Sequence, residues 1–272
     1  MKSLYIFFII AIFSLNSIKG SGKKNIHVGS RLSSAALVSD EIMYDILKES
    51  DKLNKLVGVS YLADSKKYSN ISGLVKRIPY RLGQNIESIV NASVSHIVLS
   101  KFNRIGFINQ VRKFNIKTLL VDRFNSISDI VHNYELIGSF IGELPSAKRL
   151  IASFKKEILI SSKKRLIKKS AMIVLKDGSV IGEGTIPHEI ILAAGLINIA
   201  SKYNFKGWSR ISEEIFHAAS PDYYITTEDG SILLAHKKIE KHRIIVVKSS
   251  YLFATSFQIK KAINIIATKA RL

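Results

Sequence analysis

Along this chain, short apolar runs alternate with stretches in which apolar positions recur every three or four residues. That rhythm is the signature of parallel α/β units, where strands are buried on both faces and helices hide one stripe. In the first half it predicts strands at 26–28, 56–59, 96–99 and 117–121, with helices between them, for example at 36–47 and 105–114. Ile127, Ile130, Val131, Tyr134, Ile137 and Ile141 then mark one face of a further helix. It should stop near Glu143-Leu-Pro145, because proline disfavours helical geometry in the residue before it. Another helix begins near Ser146, and the pattern restarts with a strand at 172–175 and a helix from Pro187. Strands at 223–226 and 244–247 and a terminal helix complete it. The expected organisation is an N-terminal α/β lobe over 23–125, connecting helices over 126–170 that include an inter-lobe helix, and a C-terminal α/β lobe over 171–272. No Gly/Ser-rich linker separates the lobes; a helical connection would make a stiff hinge, whereas a loose multi-strand crossover would allow wide domain closure.

Two segments echo one another: Asn85-Ile-Glu-Ser-Ile-Val-Asn-Ala-Ser-Val-Ser-His-Ile-Val and Ser212-Glu-Glu-Ile-Phe-His-Ala-Ala-Ser-Pro-Asp-Tyr-Tyr-Ile. In each, a capping residue (Asn85, Ser212) precedes a glutamate by two positions (Glu87, Glu214), Ala-Ser follows, and an apolar strand begins. One such unit per lobe implies two similar α/β lobes, and two lobes imply a cleft. The fold class expected is therefore α/β, with two lobes of parallel-rich sheet flanked by helices.

The N-terminus narrows the compartment. Lys2 is followed by a nearly unbroken apolar run from Leu4 to Leu15 and then by Gly20-Ser21-Gly22. This reads as a signal peptide over 1–22, the run being shorter than the roughly 20 apolar residues of a membrane span. With no cysteine, the mature chain can carry neither a disulfide nor a thioether-linked lipid, and a soluble periplasmic protein without an anchor is expected. The net charge is +20, and +18 without Lys2 and Lys19. Nine Lys or Arg against the single acid Glu157 fall between Lys148 and Lys169, where Leu150, Phe154 and Ile158 keep an apolar stripe. The charges there form a solvated helix face that suits an anionic ligand or membrane headgroups. Nucleic acid is not an expected partner of an exported chain.

In order and spacing, several marks coincide. They are Leu56-Val-Gly-Val-Ser60 with Asp64; Leu82-Gly-Gln-Asn-Ile-Glu87; Ile137-Gly-Ser-Phe-Ile-Gly142 with Ala147; Gly182-Glu-Gly-Thr with Ala194-Gly-Leu-Ile-Asn198; and Gly207-Trp-Ser-Arg-Ile-Ser-Glu-Glu214 ending in Pro221-Asp222. With these the chain resembles, over nearly its whole mature length, the substrate-binding proteins of ABC importers for cobalamin, ferric siderophores and haem. The resemblance implies two lobes joined by one long helix, a ligand held between them, and a membrane permease dimer as partner of a monomeric binding protein. It implies that Glu87 and Glu214 lie on the lobe tops and dock with permease arginines. Read from the residues alone, each glutamate also suits the first turn of its helix. Val94-Ser95 departs from the Pro-Asp usual at that place in the first lobe.

Trp208, the only tryptophan, matches a cleft tryptophan of the cobalamin binders, where its flat face could pack on a macrocycle. Open α/β sheets bind ligands beyond the ends of their strands, which adds Arg31, Tyr61, Tyr80, Arg81 and Lys101. Positions aromatic in the cobalamin binders are Leu62, Arg81 and Ser100 here. The basic residues suit a catecholate, a carboxylate or haem propionates, and haem would want an axial Tyr80 or His27. Cobalamin, ferric siderophore and haem all stay open as ligands. No cofactor and no metal site of the protein's own is expected. The sequence has no P-loop, Gly-x-Gly-x-x-Gly, His-Glu-x-x-His or Gly-x-Ser-x-Gly, Asp177-Gly178 is a turn signal, and no catalytic residue is assigned. The alternative is a basic periplasmic protein that holds anionic lipid or polysaccharide on its 148–169 face.

Overall fold

The computed structural model describes residues 30–163 and 169–270. The leader, the strand expected at 26–28, His27 and residues 164–168 of the basic run lie outside them. The first lobe runs β1 (Leu32–Ser34), α1 (Leu37–Glu49), β2 (Leu56–Ser60), β3 (Tyr80–Leu82), α2 (Ile86–Asn91), β4 (His96–Ser100), α3 (Ile105–Arg112) and β5 (Lys117–Val121). Its five strands are parallel in the order β3-β2-β1-β4-β5. Because β1 has β2 on one side and β4 on the other, the winding reverses there and leaves a crevice at their carboxyl ends. One sheet face packs on α1; the other builds a cluster with α2 and α3 from Val57, Leu82, Ile97, Leu99, Ile89 and Phe107. The sequence pattern passes over β1, since Leu-Ser-Ser is hardly apolar, yet all three residues are buried. Ser33 satisfies its hydroxyl on the His96 carbonyl, and Ser34 shares a 2.8 Å hydrogen bond with Ser39.

Two helices connect the lobes: α4 (Ile127–Phe140) and α5 (Leu144–Lys163). Pro145 falls in the first turn of α5, where its missing N–H is not needed, so the helix starts slightly ahead of Ser146. Gly138 lets the pair touch: a Cβ added there would sit 2.5 Å from the Cβ of Ala147. At twenty residues, α5 spans about 30 Å. Over its described part Lys148, Lys155 and Lys156 are exposed while Ile151 and Phe154 are buried, the solvated basic face expected there.

The second lobe runs β6 (Ser170–Ile173), β7 (Ser179–Ile181), α6 (Ile186–Ala193), β8 (Ile197–Asn198), α7 (Ile199–Lys202), β9 (Trp208–Arg210) and α8 (Glu213–Ala219). It continues through β10 (Tyr223–Thr226), α9 (Ser231–His236), β11 (Ile244–Val246), α10 (Ser249–Leu252) and α11 (Ile259–Lys269). Four strands form a parallel sheet, β11-β10-β6-β8, while β7 and β9 make a separate antiparallel ribbon. The two lobes are not separately cored. A single apolar cluster takes in Ile42 and Val98 of the first lobe and Ile173 and Ile245 of the second.

At the seam, the Phe257 ring lies between Tyr134 of α4 (centroids 3.7 Å apart) and Phe154 of α5 (4.1 Å). The Tyr134 hydroxyl donates to Asp45 at 2.6 Å and accepts from the Phe257 N–H. Glu41 accepts from the Ser256 hydroxyl and from the Asn70 N–H. Asp40, fully buried, accepts from both the N–H and the hydroxyl of Ser60. Burial outweighs those hydrogen bonds and pushes its pKa up to about 7. No described helix is long and apolar enough to cross a membrane.

Candidate functional site: the cleft between the lobes

The carboxyl ends of the two sheets face one another. Lys67, beyond β2, reaches Asp229, beyond β10, at 3.4 Å, and the Asn70 amide donates to the Ser250 carbonyl at 2.7 Å. These contacts join the two lobes directly. A hydrogen bond from the Thr227 hydroxyl is the main reason the Asp229 carboxyl is held below its usual range, with Lys67 and Lys176 adding to it. A groove of about 610 Å³ lined by Val131, Phe154, Ile158 and Leu192 belongs to the connecting helices and α6, away from these contacts.

The first-lobe wall carries Tyr61 directly after β2, Tyr68, and Lys101 and Phe102 directly after β4, all exposed. Lys101 holds its ammonium 5.6 Å from the ring centres of both Phe102 and Phe124, close enough for cation–π attraction. Tyr61 lies over Gly83, where an added Cβ would meet the ring at 3.0 Å.

On the second-lobe wall Trp208 is 43% exposed and packs against Phe253, with ring centres 5.3 Å apart. The β7–β9 ribbon sets its position, pairing Trp208 with Ile181. Beyond the ribbon, the Gly182 N–H donates to the Gly207 carbonyl, and Glu183 donates its N–H to the Phe205 carbonyl while its own carbonyl accepts from the Gly207 N–H. Gly182 is required there: a Cβ would lie 1.9 Å from the Phe205 carbonyl oxygen, and backbone cannot be pushed aside as a flexible side chain can.

The other candidates lie elsewhere. Tyr80 is half-buried in β3 and packs on the α2–α3 cluster. Arg81 points to the opposite side of the strand and is fully engaged: it binds Asp64 at 2.6 and 2.9 Å and donates to the carbonyls of Val75 and Ile78. Arg31 needs correction. The expected strand at 26–28 would put it at a carboxyl end, but it precedes β1, at the amino end, and its guanidinium caps the Ala92 carbonyl at 2.9 and 3.1 Å. Lys67, Tyr68, Asp229 and Phe253 were not singled out from sequence. Their only signal is position, just beyond predicted strands. Among the described residues no three His, Cys, Asp or Glu side chains converge as a metal site would require.

The echo is structural throughout. Asn85 and Ser212 each accept a hydrogen bond from the N–H three residues on, capping α2 and α8. Glu87 and Glu214 occupy the second helical position and are exposed. After each helix a serine takes a left-handed conformation, Ser93 at φ 49° and Ser220 at φ 29°, turning the chain into β4 and β10. Asp222 accepts from the N–H and hydroxyl of Ser170, just where β6 begins. Ser95 makes the same clamp on Arg31 ahead of β1, accepting its N–H at 2.9 Å and donating to its carbonyl. The departure from Pro-Asp therefore leaves the joint intact.

No family model matches the sequence, and no curated protein matches it. Solved structures do match. The periplasmic heme-binding protein RhuT from Roseiflexus sp. RS-1, in apo form, superposes with a TM-score of 0.71 over 89% of this chain and 98% of its own, at 19% identity. A possible iron-binding, periplasmic solute-binding protein from Staphylococcus epidermidis gives 0.73 over 89% and 98%, at 18% identity. The chain has the fold of the helical-backbone periplasmic binding proteins. The periplasmic vitamin B12 binding protein BtuF of Vibrio cholerae fits it too, at 0.67 over 89% and 96% with 14% identity.

Proposed function

We propose that this chain is the periplasmic substrate-binding component of an ABC importer and that it carries a metal chelate in the inter-lobe cleft. The observation that carries the reading is a set of exposed side chains on both lobes: aromatic faces at Trp208, Tyr61 and Phe102, with Lys101 beside Phe102, offer a planar, anionic ligand stacking surface and positive charge. Proteins of the same fold are named for binding heme and vitamin B12, which supports the chelate class. Haem, a ferric siderophore and cobalamin are its members, and the ligand brings its own metal. Trp208, Tyr61 and Lys101 are the contact residues in this reading, while Tyr80, Arg81 and Arg31 hold the first lobe together. Glu87 and Glu214 dock the monomeric protein on a permease dimer. Their charges set orientation more than strength. The leader directs the chain to the periplasm, where it is soluble after cleavage near Gly20 to Gly22.

The deciding experiment is the visible absorption spectrum of the mature protein purified from cells, followed by titration of Trp208 fluorescence with hemin, cyanocobalamin and a ferric catecholate. A Soret, corrinoid or ferric-catecholate band, with saturable quenching that survives moderate salt, is expected. A colourless protein that quenches with none of the three, and releases anionic vesicles as salt rises, would overturn the reading in favour of surface binding through the basic face of α5.

A further inference from the structure

Among the described residues, the two most exposed large apolar side chains are Ile105, 70% exposed, and Ile232, 63% exposed. They are not scattered. Ile105 opens α3 and Ile232 lies at the start of α9, each eighteen residues after the glutamate of its lobe. The echo thus reaches beyond its obvious sequence similarity, because one interval of 127 residues relates all the matched positions. It relates the caps Asn85 and Ser212, the left-handed Ser93 and Ser220, and the clamps Ser95 and Asp222. It also relates the buried anchors under the two helices, Ile89 with Phe216 and Phe107 with Leu234. In the first lobe the start of α3 is tied to the approach to α2, the Arg104 N–H donating to the Gln84 amide oxygen at 2.6 Å.

An isolated exposed isoleucine means little. Two that recur at equivalent places in two lobes, each accompanied by an exposed carboxylate on a chain of net charge +20, define a repeated surface. We propose that Ile105 and Ile232, with Glu87 and Glu214, form two matching footprints for one partner of two-fold symmetry, each partner subunit offering a basic group and an apolar recess. This rests on the docking reading above and adds to it the apolar half of the contact. A single subunit could match only one footprint. A symmetric pair matches both, since the footprints are alike although the lobes around them differ. Anionic lipid is disfavoured as occupant by the two carboxylates. In this arrangement the glutamates orient the encounter, and the isoleucines, desolvated on contact, slow dissociation.

The test uses the mature protein and each ABC permease dimer of the source cell reconstituted in nanodiscs. Ile105→Ser and Ile232→Ser should each weaken association several-fold, and the double variant by about tenfold or more. Melting temperature and quenching of Trp208 by hemin, cyanocobalamin or ferric catecholate should not change. Ile105→Val with Ile232→Val should keep most of the association. If the double serine variant docks like the parent while Glu87→Arg with Glu214→Arg does not dock, the isoleucine assignment is wrong and the docking reading stands. If neither pair alters association, the docking reading itself fails. If the parent sediments as a dimer that the serine variants dissociate, the footprints belong to a second copy of this chain and the permease assignment is overturned.

Discussion

The two lobes share a skeleton and differ at the lip of the cleft. Position 81 of the first lobe and position 208 of the second are equivalent in the repeat, yet one is arginine and the other tryptophan. Arg81 turns away into an ion pair with Asp64 and two backbone carbonyls, becoming part of the wall's frame. Trp208 stays half out, backed by Phe253. Of the features that coincide, the caps and the exposed Glu and Ile stand at helix starts, whereas the left-handed serines and the clamps lie at the other end, where β4 and β10 begin. At the pair that diverges, only the second lobe presents an exposed ring. In the proposed reading, one repeat serves two masters by keeping its helix starts and varying the lip of the cleft.

The largest effect should come from breaking what the lobes share. Reversing both carboxylates, Glu87→Arg with Glu214→Arg, should abolish uptake in cells and leave ligand affinity in vitro nearly intact, with each single reversal intermediate. Normal import by the double variant would reduce both residues to helix-terminal charges.

Breaking what the lobes do not share should separate affinity from stability. Trp208→Ala should weaken ligand binding by about 1–3 kcal/mol with little change in melting. Arg81→Ala should do the reverse, costing about 1–2 kcal/mol of stability by denaturant titration, because it leaves backbone carbonyls unpaired and Asp64 without its partner. Equal loss of affinity in both would mean that position 81 touches ligand after all. Gly182→Ala should resemble Trp208→Ala in binding and add a stability loss, since displacing the Phe205 backbone moves the Trp208 ribbon.

A smaller effect separates the lobes by pH. The Asp40 pKa is raised by burial to about 7, so the neutral form is favoured in the fold; the stability it contributes is present in full below the ordinary carboxylate range and lost as pH rises through about 7. Asp222 is lowered chiefly by the Ser170 N–H, and Asp229 by the Thr227 hydroxyl. Their contribution is present at neutral pH and lost in acid as pH falls through their lowered values. Melting temperature should therefore be highest near pH 5 and drop by a few degrees toward pH 8. Asp40→Asn should lessen the alkaline fall without abolishing it, because burial also raises Asp45, to about 6, and Glu41; a profile unchanged by it would mean that the Asp40 carboxylate is ionised in the fold.

The sequence shows the architecture where residues obey one rule at a time. The run at 117–121 and the run at 223–226 emerge as strands with the expected bounds because nearly all their positions are β-branched, aromatic or aliphatic and they are flanked by helix or turn signals. β1 is missed because its serines are buried through hydrogen bonds to His96 and Ser39, partners set by tertiary structure. The same limit applies in the cleft. Nothing local reveals that Arg81 is held by Asp64, seventeen residues earlier, or that Lys67 meets Asp229 between the lobes. The acids of Ser39-Asp-Glu-Ile-Met read as an ordinary first helical turn, although Asp40 and Glu41 are enclosed. Repetition was legible because it compares the chain with itself. The echo found the caps and carboxylates, and its longer reach to Ile105 and Ile232 needed the exposure of each side chain.

The ring of Phe257 has a consequence for the order of assembly. It is clasped by Tyr134 and Phe154, while its neighbour Ser256 holds Glu41, so the inner surface of the first lobe is finished by residues near the far end of the chain. Such contacts close some of the largest loops in the molecule and form late. If the chain is exported as proposed, its first lobe cannot complete its inner surface until Phe257 has followed it through the membrane. One short segment, Ser256-Phe257, therefore serves as the clasp for both lobes.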